Sequence, residues 1–162
     1  MYAKILPASY ETSYQFSRLM FEDHVYAGLS DELHDVYFAH RLLSDIEAGD
    51  ILVIAVYSRT DNKLCGFCYG SFNDGDFVGH TMFKRKVDAV KAALLCEEEL
   101  VKYSWEHNID FKAIVGYPPE FLRVAVRMNK RFGCTDLGIA ENVCFYKNGK
   151  KVPCRHFRKE IK

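Results

Sequence analysis

The side chains in this chain that could do chemistry fall in two places. His80 sits within Phe77–Phe83 (FVGHTMF). An unperturbed imidazole titrates near neutral pH, which suits a general base. Tyr117 ends the apolar run Phe111–Tyr117 beside Pro118, where a phenol could serve as an acid or hold a polar ligand. Glu120 follows, as a third titratable group or as a carboxylate favouring a helix N-terminus. After the His80 segment come Lys84, Arg85 and Lys86, three adjacent cations able to attract phosphate. Asp88 then reads as the N-cap of a helix. Arg123, Arg127, Lys130 and Arg131 fall at i, i+4, i+7 and i+8, one basic stripe along a helix. Such a stripe is a solvated face or meets a phosphate, a nucleic acid or an acidic partner. No motif for sequence-specific nucleic-acid reading accompanies it.

The six cysteines are Cys65, Cys68, Cys96, Cys134, Cys144 and Cys154. The C-x-x-C at Cys65–Cys68 lies in LCGFCYGSF, which reads as a strand, so its two thiols should point to opposite faces. A redox pair wants a helix N-terminus, and a zinc site wants a second pair at matching spacing. The expectation is buried, reduced thiols and no metal.

The elements that must position these groups follow from periodicity. Tyr2–Ala8 reads as a strand, Tyr10 to about Phe21 as a helix and His24–Leu29 as a loop. Ser30 caps a second helix carrying Leu33, Val36, Tyr37, His40, Leu43 and Ile46, closed at Gly49-Asp50. Ile51–Tyr57, Leu64–Phe72 and Phe77–Phe83 form an antiparallel meander. Asp88 opens a long helix to about His107, with Val90, Ala93, Leu94, Leu100, Val101 and Trp105 as its apolar face and Glu97–Glu99 outward. Phe111–Tyr117 is a strand, stopped by Pro118-Pro119. Glu120–Phe132 is a shorter helix closed by Gly133. Thr135–Ala140, Val143–Tyr146 and a last strand to about Arg158 follow, the final pair joined at Asn148-Gly149. The order β α α β β β α β α β β β predicts an α+β (mixed α/β) domain, with about four helices covering a mainly antiparallel sheet.

Composition sets the frame. The 162 residues favour one domain, residues 1–162, and 49% hydrophobic against 27% charged residues excludes disorder. No apolar run is long enough for a membrane helix and the N-terminus carries no secretory pattern, so the chain reads as cytoplasmic. The net charge is zero, yet residues 1–80 hold 5 basic and 12 acidic residues and residues 81–162 hold 17 and 10. An anionic ligand is expected at the C-terminal half, or attraction between the halves.

The order of elements resembles the GNAT-type N-acetyltransferases over nearly the whole chain, best over about Ile51–Gly138. The stretch Asn129-Lys130-Arg131-Phe132-Gly133-Cys134 is similar to the family's Tyr-x-x-ϕ-Gly-Phe, matching at the glycine. The resemblance implies that acetyl-CoA lies where Phe77–Phe83 splays from Phe111–Tyr117. Backbone N–H groups near Met82 and Phe83 would hold its pantetheine arm, and the turn Lys84, Arg85, Lys86, Val87, Asp88, Ala89 its pyrophosphate. The family signature Gln/Arg-x-x-Gly-x-Gly/Ala has no glycine here, and Asp88 is a carboxylate at the phosphate position. His80 is then the implied base and Tyr117 an acid or acceptor contact. Asn129 stands where the family's acid Tyr would be. A narrower likeness is to small GNAT-like proteins of tailed phages, including head-assembly proteins.

Two functions follow. One is acyl-CoA-dependent N-acetyl transfer to a primary amine on a small molecule or protein. The other is an inactive GNAT-fold protein acting by protein contact, as in phage particle assembly. Tyr10, Tyr14, Phe16, Phe21, Tyr26 and Tyr37 gather in the N-terminal helices, either as core or as a surface for an amine or a protein partner.

Overall fold

A computed structural model describes residues 1–22, 31 and 36–162, the side chains of 36–38 excepted. The described elements run β1 (Tyr2–Ile5), α1 (Tyr10–Met20), α2 (Val36–Ala48), β2 (Leu52–Tyr57), β3 (Leu64–Asn73), β4 (Asp76–Phe83), α3 (Ala89–Glu106), β5 (Ala113–Gly116), α4 (Arg123–Phe132), β6 (Thr135–Lys147) and β7 (Lys150–Glu160). The strands form one seven-stranded sheet in the order β1-β2-β3-β4-β5-β7-β6. Every neighbouring pair is antiparallel except β4 and β5.

Each face of the sheet buries its own helices. On one face Phe16, Leu19 and Met20 of α1 and Leu42 and Ile46 of α2 pack on Val53, Ala55, Phe67, Tyr69 and Met82. On the other, Ala92, Cys96 and Leu100 of α3 pack on Ile54, Val56, Cys68 and Phe77. Period two along the strands sorts alternate residues onto these faces, and continuous apolar runs such as β2 serve both. Ser9 caps α1 by accepting the Thr12 amide at 3.2 Å, and Gly133 closes α4 in the left-handed conformation, φ 94°.

Several expectations are corrected. β1 stops short of Ala8: Leu6 still pairs with Val53 at 2.8 Å, but Pro7 has no N–H to continue the ladder. Leu94 and Trp105 are not core residues but 43% and 82% exposed, because the stripe Ala92, Cys96, Leu100, Ser104 points the opposite side of α3 to solvent. Glu97 does not face outward. It is half-buried in an ion pair with Lys159, which also lies 4.1 Å from the Phe132 ring. The strands expected at Thr135–Ala140 and Val143–Tyr146 are one strand, β6, carried through two register shifts against β7. The short helix begins at Arg123 rather than Glu120, because Pro119 is held extended in a bridge to Cys154 and the chain then turns, the Leu122 amide donating to the Pro119 carbonyl at 3.0 Å. Cys65 and Cys68 share a face. The register slips between Val56↔Gly66 and Tyr57↔Leu64, leaving Cys65 as a bulge, and both thiols pack toward α3. All six cysteines are free. The loop His24–Leu29 and the Ser30 cap lie outside the described residues. No described helix is long and apolar enough to cross a membrane.

Candidate active site

The site arises where the sheet's one parallel junction fails. β4 and β5 pair only at Asp76↔Ala113, Phe77↔Ile114 and Val78↔Val115. Beyond Val78 the two strands diverge, while β4 stays paired to β3 as far as Phe83. The Lys84 amide donates to the Cys65 carbonyl at 2.8 Å, so even-numbered residues of β4 direct their backbone groups at β3. By alternation, Gly79, Thr81 and Phe83 direct theirs at the gap. The Gly79 carbonyl accordingly faces Gly116 across it, 3.9 Å from where a Cβ would stand. An unpaired strand edge of this kind holds an extended, amide-bearing ligand.

The gap widens into a cleft of about 640 Å³ that reaches both faces of the sheet. Its walls are Gly79–Met82 of β4, Ile114–Gly116 of β5, Ala93, Cys96, Glu97 and Leu100 of α3, Ala125, Met128 and Asn129 of α4, and Val143–Phe145 of β6, with Leu42 and Ile51 beyond the sheet. Glycine lets neighbouring side chains close onto the strands beside the gap. A Cβ on Gly116 would lie 3.4 Å from Asn129 Oδ1, and one on Gly79 would lie 2.7 Å from the Phe77 ring. Sequence reading missed Gly79 and Gly116, although a glycine inside a strand is a signal of close approach.

His80 and Tyr117 both line this cleft. The His80 ring stacks on Tyr69, centroids 5.3 Å apart and 28° from parallel. Solvent reaches it through the mouth while protein crowds its other sides. That desolvation holds its pKa below the ordinary histidine value, so it is a neutral base at pH 7. Tyr117 stacks on His156 at 5.0 Å and 26°. Its segment is pinned to β7: Pro118 accepts the Arg155 amide at 2.9 Å, and Arg155 pairs with Glu120 and Asp136, each at 3.1 Å. Glu120 is thus an anchor. Asn129 lines the cleft with its amide nitrogen donating to the Ala125 carbonyl at 2.9 Å, while the Cys134 thiol donates to its oxygen at 3.8 Å.

The turn after β4 sits apart from that throat. Met82 is buried under α1, and Phe83 and Val87 pack toward α3. Lys84 pairs with Glu22 at 3.2 Å. Arg85 and Lys86 are exposed, Lys86 with φ 70°. Asp88 caps α3 by accepting the Lys91 amide at 3.1 Å, ahead of Ala89, the first helical residue. The N-cap reading of Asp88 therefore holds, and the Lys91 amide is occupied. Cys68, Cys96, Cys144 and Cys154 line the cleft. A hydrogen bond to Cys68 and burial push the Cys96 thiol up, and burial raises Cys154, so neither is a thiolate nucleophile at neutral pH.

No family model matches the chain, and no curated protein matches it by sequence. Solved structures do. An acetyltransferase of Salmonella typhimurium that modifies the N-terminal serine of a 50S ribosomal protein superposes with TM-score 0.74 at 9% identity, over 100% of this chain and 96% of that one. The ribosomal-protein S5-alanine acetyltransferase of Vibrio fischeri gives 0.69 at 9% identity, covering 99% and 93%. A microcin self-immunity acetyltransferase in complex with acetyl-CoA and AMP gives 0.68 at 12%, covering 99% and 93%. The sheet order, the strand pair that parts at Val78 and these superpositions show that the chain has the α+β fold of the GNAT acetyltransferases.

Proposed function

We propose that this protein transfers an acyl group from a pantetheine-type thioester, the class to which acetyl-CoA belongs, to a primary amine on a small molecule or a protein terminus. The observation that carries this reading is the β4–β5 gap, with its outward Gly79, Thr81 and Phe83 backbone groups, opening beside a neutral His80. The thioester supplies an activated acyl carbon. The chain's part is to hold the arm along the β4 edge, to aim backbone N–H groups at the thioester oxygen and to take a proton. His80 accepts the proton that turns the ammonium into a nucleophile, directly or through water. Tyr117, at the mouth, donates to the leaving thiolate or contacts the acceptor. That one superposed enzyme modifies the N-terminal serine of a ribosomal protein, and another is a ribosomal-protein alanine acetyltransferase, makes a peptide N-terminus one acceptor class to try.

A second reading is a catalytically silent GNAT-fold protein that works by contact, as in phage particle assembly. It draws on Asn129, which cannot protonate a thiolate, and on the exposed Tyr10 and Tyr14 pair of α1, stacked 6.3 Å apart. The deciding experiment is calorimetric titration with acetyl-CoA and with acetyl-pantetheine, followed by mass-spectrometric search for N-acetyl product over a panel of amines and N-terminal peptides. Saturable binding and product formation support transfer. Absence of both for every thioester at about millimolar concentration, a binding energy of only about 4 kcal/mol, removes it.

A further inference from the structure

The cleft and the turn at its mouth are built for different parts of a donor. The cleft offers what a pantetheine arm needs: an unpaired strand edge and apolar walls. The turn does not offer what a nucleotide diphosphate needs. Helix N-termini bind phosphate through free amides and a positive end. At α3 the Asp88 carboxylate already takes the Lys91 amide and places a negative charge at that end. The Val87 amide is engaged by the Lys84 carbonyl at 3.3 Å, and the Lys84 amide by Cys65 at 2.8 Å. Lys84's ammonium is turned away to Glu22. No glycine lies between Lys84 and Ala89, so no backbone there is bare enough for close approach. The turn is a poor cradle for the pyrophosphate of coenzyme A: a carboxylate stands at the helix end and the Lys84, Val87 and Lys91 amides are taken.

Cations nevertheless lie on it and at the same end of the sheet, exposed. Arg85, Lys86 and Lys91 are exposed on the turn and the first turn of α3. β4 and β5 run parallel, so the segment leading from β5 into α4 emerges at the same end of the sheet. It brings Arg123 and, one helical turn on, Arg127, both exposed. Among the described residues none of these cations makes an ion pair. An anion fixed in the cradle and a rim of unpaired cations around it suit a broad acidic surface, not a small diphosphate.

We propose that the donor is an acyl group on a phosphopantetheine arm carried by an acidic protein. The arm enters the β4–β5 cleft and the carrier's acidic face rests on Arg85, Lys86, Lys91, Arg123 and Arg127. The proposal rests on the acyl-transfer reading above and names its donor. In the step, the amine nitrogen bonds to the acyl carbon as the C–S bond breaks. One ammonium proton has gone to His80, and the second goes to the departing thiolate, which leaves as the carrier's free thiol.

The test is calorimetric affinity for acetyl-CoA, acetyl-phosphopantetheine and acetylated holo-acyl carrier protein, at low salt. Acetyl-phosphopantetheine should bind within about threefold of acetyl-CoA, and the carrier at least about tenfold more tightly than either. In Arg123→Glu/Arg127→Glu the carrier's advantage should vanish while acetyl-phosphopantetheine binds as before, which also reports that the variant is folded. Acetyl-CoA binding about tenfold more tightly than acetyl-phosphopantetheine overturns the proposal and leaves acyl transfer standing. A carrier that binds no better than its free arm, or equally well to the variant, also overturns it. If no thioester binds, both readings fall together.

Discussion

Tyr69 and His80 stand opposite each other on β3 and β4 with their rings stacked 5.3 Å apart. Tyr69 is itself held edge-on by Phe16 at 4.9 Å, so the imidazole leans on a ring anchored in the core. Protein packed around the solvent-reached His80 ring partly desolvates it and lowers its pKa, which means that the unfolded chain binds the proton better. Stability is then full above the unfolded value of about 6.5 and is lost as pH falls through the lower folded value. Melting curves between about pH 7.5 and about pH 5 should show this loss, and His80→Gln should remove that share of it. An identical pH dependence in the variant would assign the loss to another group.

The same residue carries the proton-transfer prediction. His80→Gln should lower kcat by about 100-fold or more, with little change in donor affinity. The acid limb of the rate profile should disappear with it. A variant that keeps both rate and profile would take His80 out of the chemistry.

Gly116 sets the width of the throat. Gly116→Val places methyls against Asn129 and into the gap, at a cost of about 1–3 kcal/mol if they crowd their neighbours. Donor affinity should fall by at least about tenfold while the fold survives, as judged by circular dichroism alongside titration. Undiminished affinity would mean that the arm runs elsewhere.

Asp88 is a helix cap before it is anything else. Asp88→Ala removes the bond to the Lys91 amide and should destabilise the protein by about 1 kcal/mol. That is about 2–4 °C in melting temperature for a chain of this size. No loss would show that solvent replaces the cap fully.

Leu100, 1% exposed, anchors α3 to the sheet on the face that also walls the cleft. Leu100→Ala should cost about 2–5 kcal/mol and widen the cleft from behind. Denaturant unfolding measures the first, and a weakened donor affinity at temperatures where the variant is still folded measures the second.

The order of elements was legible because each carries its own local signal: the Asp88 cap, the Gly133 stop, the Asn148-Gly149 hairpin and the change of period after Phe83. What escaped was set by neighbours distant in sequence. The slip that turns Cys65 onto Cys68's face depends on how β2 meets β3. Glu97 turns inward because Lys159, far along the chain, is there to meet it. α4 starts late because Pro119 bridges to Cys154 and Pro153 engages Glu120. For the site, His80 and Tyr117 could be picked out by type, and both line the cleft. The parting of β4 from β5 is a property of the register between them, and no single segment encodes it.

That parting also makes a joint. The chain's first four described strands and its last three meet along only three residue pairs, Asp76↔Ala113, Phe77↔Ile114 and Val78↔Val115. The opposite net charges of the two halves of the sequence find a use there. Arg158 of β7 reaches across β5 to the carboxylate of Asp76, and Lys112 donates to the Asp74 carbonyl at 2.9 Å, both at the end away from the cleft. The sheet is clasped at its foot and open at its mouth, like a clothes-peg whose spring is electrostatic. Salt loosens exposed ion pairs but screens half-buried ones much less. The Arg158–Asp76 pair is of the second kind, so the foot should hold at ionic strengths that loosen the surface pairs.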